Sequence, residues 1–276
     1  MEPMRSDSSQ CGFTLIEAIV VIVITGIIAG MVAIFIRAPI DAYTDSARRA
    51  MLTDIADTAA RRMARELQGA LPNSVRVDAT GNFLEFVPIR AAGRYRTAVG
   101  TASSDDPLSF TNGADNSFDV LGPTVTVPAN SSLVVYNLGI DGANVYEANS
   151  TVRRDATAGT NLSKVTFTST GTALAFASPG NRFQIVGTPV SFACVDGTLW
   201  RYTGYAFQAA QPSALATLNG LANASGAALA THVSECSMAY TTGSLQSNGL
   251  VSLKLSLTQD GETVTLLHQV NVDNVP

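Results

Sequence analysis

The chain has 276 residues, room for one or two domains, and only 14% of them are charged. The net charge of −5 and the lack of a basic stripe exclude nucleic acid as an expected partner. Gly, Ser, Thr, Ala and Asn become frequent after residue 72, the composition of a turn-rich secreted β domain.

Residues 1–12 are short, polar and without a structural pattern. A secretory signal peptide carries its apolar region ahead of the cleavage site. Here the order is reversed: polar residues come first, and an uncharged apolar run covers 18–36. The leading segment holds Arg5 against Glu2 and Asp7, so with the amino terminus its net charge is about zero. Initiation at Met4 instead of Met1 would remove Glu2 and leave it positive. Cys11 precedes the run rather than ending it, which argues against a lipoprotein.

Residues 13–36 are long enough to span about 30 Å of hydrocarbon as a helix. Glu17 stands at the mouth of this span, where a carboxylate costs several kcal/mol unless it finds a partner, so a partner is expected. Gly26 and Gly30 form a G-x-x-x-G, which lets helices approach closely but is also common in membrane helices generally. Arg37 ends the run, and Asp41 and Asp45 follow, so no basic cluster there competes for the cytoplasmic side.

Beyond the span, Tyr43, Ala47, Met51, Ile55, Ala59, Met63, Leu67 and Leu71 recur every fourth residue. They predict one apolar stripe on a helix, the face that packs on a sheet. Asp45 is expected to reach Arg49, and Asp57 to reach Arg61, at i,i+4. Gly69 weakens the end, and Pro72 with Asn73 stops it. One nearly continuous helix over 13–71 would be roughly 90 Å long. Pro39 is expected to break its hydrogen-bond ladder locally and bend it.

From residue 73 the signals are strands and turns. Segments 74–77 and 83–87 flank Thr80-Gly81-Asn82 as a hairpin. Segments 132–136, 164–167 and 182–186 are strand candidates. Asp196-Gly197 joins strands over 189–194 and 199–205, and Asp260-Gly261 joins strands over 250–258 and 263–272. Residues 98–116 read as an exposed Ser/Asp/Gly-rich excursion. Residues 208–231 are Ala/Asn/Gly-rich, with a short helix near 213–221. The fold class is therefore α+β: a long N-terminal helix, half membrane anchor and half amphipathic, packed on an antiparallel β domain. The boundaries are 1–12 (leader), 13–36 (membrane and assembly helix), 37–72 (amphipathic extension) and 73–276 (β-rich domain).

Catalytic constellations are not found. His232 and His268 sit in different elements without metal spacing, and no G-x-S-x-G, P-loop or dinucleotide fingerprint occurs, so neither an enzyme nor a cofactor is expected. Asp105, Asp106, Asp115 and Asp119 lack EF-hand spacing and read as solvated loop acids rather than calcium ligands. Cys194 and Cys236 form an even pair in a domain expected outside the cytoplasm, and a disulfide is the expected state.

The hexapeptide Gly12-Phe13-Thr14-Leu15-Ile16-Glu17 before an uncharged run resembles the processing signature of the type IV pilin family, which includes the type II secretion pseudopilins. The resemblance implies cleavage between Gly12 and Phe13 by prepilin peptidase, N-methylation of Phe13, and an assembly role for Glu17. Pilin leaders are usually net basic, and this one departs from that. The family's helix-breaking proline falls here on Ile34, a second departure. Segments 62–77, 189–194 and 268–276 look similar to the MshO-like minor pilins of mannose-sensitive haemagglutinin (MSHA) pilus systems. That implies an inner-membrane, single-pass precursor with a periplasmic C-terminal domain, later placed in a pilus. Its partners would be other minor and major pilins and the pilus assembly platform. A large J-like type II secretion pseudopilin and a membrane-anchored carbohydrate-binding adhesin are the alternatives.

Overall fold

The computed structural model describes residues 12–102, 104–242 and 248–275, without the side chains of residues 37 and 38. Residues 1–11, which carry the expectations about initiation, leader charge and Cys11, lie outside the described residues, as does Pro276. The chain divides into two units, Met1–Ala50 and Met51–Pro276. Helix α1 is assigned over Leu15–Gln68. It continues through Pro39, so the lost N–H does not end the helix there.

In the second unit, α1 buries Leu52, Ala56, Ala59, Ala60, Met63, Ala64 and Leu67. This corrects the expected stripe. Tyr43 is 76% exposed, Met51 is 46% exposed, and Ala47 is exposed as well. A strict four-residue repeat turns about 400° per step, so it drifts about 40° around the helix each time. The buried set instead mixes three- and four-residue steps and keeps to one face. Asp57 pairs with Arg61 at 2.6 Å as expected, and Asp45 holds Arg48 at 3.0 Å.

After α1 the regular structure is almost entirely antiparallel strand, joined by long loops. β1 (Arg76–Val77) and β2 (Phe83–Phe86) form the first hairpin; β3 is Ile89–Tyr95, β4 Ser117–Leu121, β5 Val125–Val127 and β6 Ser132–Val134. β7 is Arg153–Asp155, β8 Gly159–Leu162, β9 Lys164–Thr166 and β10 Arg182–Val186. β11 (Val190–Val195) and β12 (Thr198–Thr203) pair across Asp196-Gly197. α2 (Leu215–Gly220) and β13 (Ser225–Ala230) follow, then β14 (Val233–Thr241) and the long hairpin of β15 (Gly249–Gln259) and β16 (Glu262–Val272). Asp196, Gly197, Asp260 and Gly261 all have positive φ, which a two-residue hairpin turn of the I′ type requires.

The strands form a five-stranded sheet β1-β2-β11-β12-β13, a six-stranded sheet β7-β6-β10-β3-β4-β9, a three-stranded sheet β14-β15-β16 and the pair β5-β8. One core collects the buried face of α1 from Leu52 onward with Leu84, Phe86 and Phe192 of the five-stranded sheet and Val251, Leu253 and Leu255 of the three-stranded one. Each fully buried Leu or Phe contributes about 1.5–3 kcal/mol. A second core around Tyr95, Phe118 and Phe183 fills the six-stranded sheet. Leu108 is 4% exposed and packs there with Phe110. The segment 98–116 is thus not wholly an exposed excursion: its polar flanks hide two residues that fold back onto the core.

Candidate processing and assembly site

Gly12, Phe13 and Thr14 are non-helical, and α1 begins at Leu15. Thr14 sits at the helix start: the Glu17 amide donates to its Oγ1 at 3.4 Å and to its carbonyl at 3.1 Å. Thr14 and Glu17 have the T-x-x-E spacing of a capping box. The T-x-x-E spacing is the sequence signal for this role of Thr14. The Gly12–Phe13 peptide therefore lies in non-helical chain just before the helix start. No atom lies within 4 Å of a Cβ built on Gly12. The described residues leave room for a larger side chain there.

Glu17 lies in the first turn, where the helix dipole favours an acid by about 0.3–1 kcal/mol. Its side chain is exposed and has no hydrogen-bond or ion-pair partner among the described residues. Around it, Phe13, Leu15 and Ile16 are 76%, 80% and 71% exposed. The helix is long and apolar enough to cross a membrane, with a window of mean hydropathy 3.1 that is 0% buried among the described residues. Thr25 turns its hydroxyl back to the Val21 and Ile22 carbonyls, which satisfies it within the apolar run. Gly26 and Gly30 face open space.

In the second unit, Cys194 on β11 and Cys236 on β14 are disulfide-bonded, with Cα atoms 6.1 Å apart. The bond joins the five-stranded and three-stranded sheets, which share no strand pair. His232 occupies the turn between β13 and β14, and His268 lies on β16 opposite Leu253. Among the described residues no group of three His, Cys, Asp or Glu side chains is placed to hold a metal.

Three of the four loop acids do converge, on two cations. Asp119 accepts from Arg96 at 3.2 Å and lies 3.6 Å from Lys164, which reaches Asp106 at 3.0 Å; Asp105 lies 3.3 Å from Arg96. Asp115 instead accepts the Ser109 amide. The Asp106 backbone amide, with Lys164 and Arg96, holds the Asp119 carboxyl below its ordinary 3.8, against the effect of burial. A depressed folded-state value means stabilisation that is present above the unfolded value and lost as pH falls through the folded one. Asp119→Asn should therefore make the acid loss of stability shallower below about pH 4. Melting temperatures of the two proteins taken down that range check it, and identical slopes would contradict it.

A buried network escaped the sequence reading. Glu85 is fully buried on β2, its carboxylate receiving Arg76 Nε at 2.6 Å and the Tyr205 hydroxyl at 2.8 Å. Arg76 also donates to the Gln208 and Ala209 carbonyls and lies 3.7 Å over the Tyr146 ring. Burial pushes the Glu85 carboxyl up, while Arg76 and Tyr205 pull it down. The register Arg76↔Glu85 across the first hairpin is the sequence signal that could have found the pair. The network ties the segment after β12 to the edge strand β1, a structural role.

No curated protein and no solved structure matches the chain. Residues 7–33 match the family model of the prokaryotic N-terminal methylation motif. That motif, on a helix able to cross a membrane once and followed by antiparallel sheets, supports a processed subunit of the type IV pilin or pseudopilin type and suggests a structural role.

Proposed function

We propose that the chain is a minor pilin of an MSHA-type type IV pilus. Prepilin peptidase would cut between Gly12 and Phe13, and Phe13 would then be N-methylated. The mature protein would sit in the inner membrane with its β-rich unit in the periplasm before it joins a filament primed by, or containing, other minor pilins. The observation that carries this reading is Glu17, unpartnered among the described residues, in the first turn of a helix whose apolar span is exposed among them. Such a surface is stable only in lipid or among like helices. The similarity of segments 62–77, 189–194 and 268–276 to MshO-like minor pilins supports the MSHA assignment. The disulfide supports a periplasmic place for the β-rich unit.

Co-purification of the processed chain from native cells tests it. MSHA major and minor pilins should be recovered with it. Recovery with type II secretion pseudopilins instead would overturn the reading in favour of a J-like pseudopilin.

A further inference from the structure

Strand β7 is an edge strand of the six-stranded sheet. The chain after β9 runs along its edge and is held there by backbone hydrogen bonds at either end of the passage. The Thr168 amide donates to the Asp155 carbonyl at 2.8 Å, and the Ala175 amide to the Thr151 carbonyl at 3.1 Å. Between these anchors lies a cavity of about 410 Å³, within the range of small-molecule sites. Its lining residues are polar but for Ala148: hydroxyls and an amide, Arg153, Arg154 and one acid, Asp155.

Arg154 is the unusual member. It is 4% exposed, yet its guanidinium meets only neutral acceptors. Nη1 donates to the Ser150 and Arg153 carbonyls at 2.9 and 2.7 Å, and Nη2 to the Thr172 carbonyl at 2.7 Å. No carboxylate lies within ion-pair distance of it among the described residues, and its Nε–H has no acceptor there. A buried cation without a counter-charge is costly, and burial accordingly lowers its proton affinity. Arg153 adds a second cation, bonded to the Glu147 carbonyl and packed 4.1 Å over the Phe207 ring. Asp155 offsets only one of the two charges, and its Oδ1 takes the Ser132 hydroxyl at 3.4 Å. At the same cavity, the side chains of Asn149, Thr168 and Thr172 are exposed and have no partner among the described residues.

We propose that this cavity binds an acidic saccharide, its carboxylate or sulfate facing Arg154 and its ring hydroxyls facing Asn149, Thr168 and Thr172. The anion would supply the missing counter-charge, and a guanidinium matches a planar carboxylate. The unpaired hydroxyls and amide select a hydroxylated body over a bare anion. An apolar ligand would leave those groups unpaired. The site goes beyond the pilin reading and does not depend on it.

Calorimetric titration of the full-length protein in detergent at low salt tests the proposal, with glucuronate, glucose and inorganic sulfate as probes. Glucuronate should bind about tenfold more tightly than either glucose or sulfate. Arg154→Gln should weaken it about tenfold. Because Arg154 also holds three carbonyls, the double variant Asn149→Ala/Thr168→Val is the control for folding. It should keep its melting temperature and lose about tenfold in glucuronate affinity. Absence of glucuronate binding, equal binding of glucose or of sulfate, or wild-type affinity in the double variant would each overturn the proposal.

Discussion

Glu17→Gln is expected to remove the protein from filaments while leaving cleavage and folding intact. In the isolated chain the carboxylate has no partner among the described residues, so the substitution breaks no contact among them. The local cost is the loss of a favourable helix-dipole interaction, at most about 1 kcal/mol. In a filament the same acid would be surrounded by apolar helices and need a cation. The resemblance to pilins proposes the N-terminal amine of a neighbouring Phe13, which stays positive when methylated. The amine of its own Phe13 is the local alternative. Removing one member of a desolvated pair costs about 3–5 kcal/mol, which corresponds to roughly 100-fold or more in assembly. Filament counts by electron microscopy and recovery of partner pilins measure this for Glu17→Gln and Glu17→Ala. Normal piliation with normal partner recovery in both would show that Glu17 has no assembly role.

The second large effect concerns Cys194 and Cys236. Their bond closes a loop with a sequence separation of 42, which holds β12, α2 and β13. Closing such a loop restricts the unfolded chain by about 4 kcal/mol in the chain-entropy model. It also fastens two sheets that otherwise meet through packing and a few hydrogen bonds, such as the Met238 amide to the Gly81 carbonyl at 2.8 Å. Cys194→Ser/Cys236→Ser should lower unfolding stability by up to about 4 kcal/mol in denaturant titrations of the β-rich unit. Non-reducing peptide maps of the wild type should link the two cysteines. Two free thiols, or a double variant as stable as the wild type, would contradict this.

What could be read from the sequence was what short-range chemistry decides. The two Asp-Gly turns and the Thr80-Gly81-Asn82 turn specified their hairpins because few residue types accept positive φ. The long helix was legible from its unbroken apolar and amphipathic pattern. Its buried face was misread because an exact four-residue repeat is not a face. β13 was missed for a different reason. Ser-Gly-Ala-Ala-Leu-Ala has no β-branched residue, and the strand exists because β12 offers it an edge. A Cβ on Gly226 would come within 2.7 Å of the Tyr202 ring, so glycine there is a packing requirement that spacing cannot reveal. β3 was hidden likewise: its Gly93 lies under the Phe183 ring in mid-sheet. At the candidate site, Glu17 and the expected cut position sit in one short motif, within the residues that the methylation family model matches. The Arg76–Glu85–Tyr205 network joins residues more than a hundred positions apart and needs the fold.

A processed pilin-type subunit is recognised most directly by the mass of its N-terminal peptide. Protein extracted from membranes of native cells should begin at Phe13 and carry one added methyl group on its amine. A chain that retains residues 1–12 in cells with an active prepilin peptidase would contradict the account.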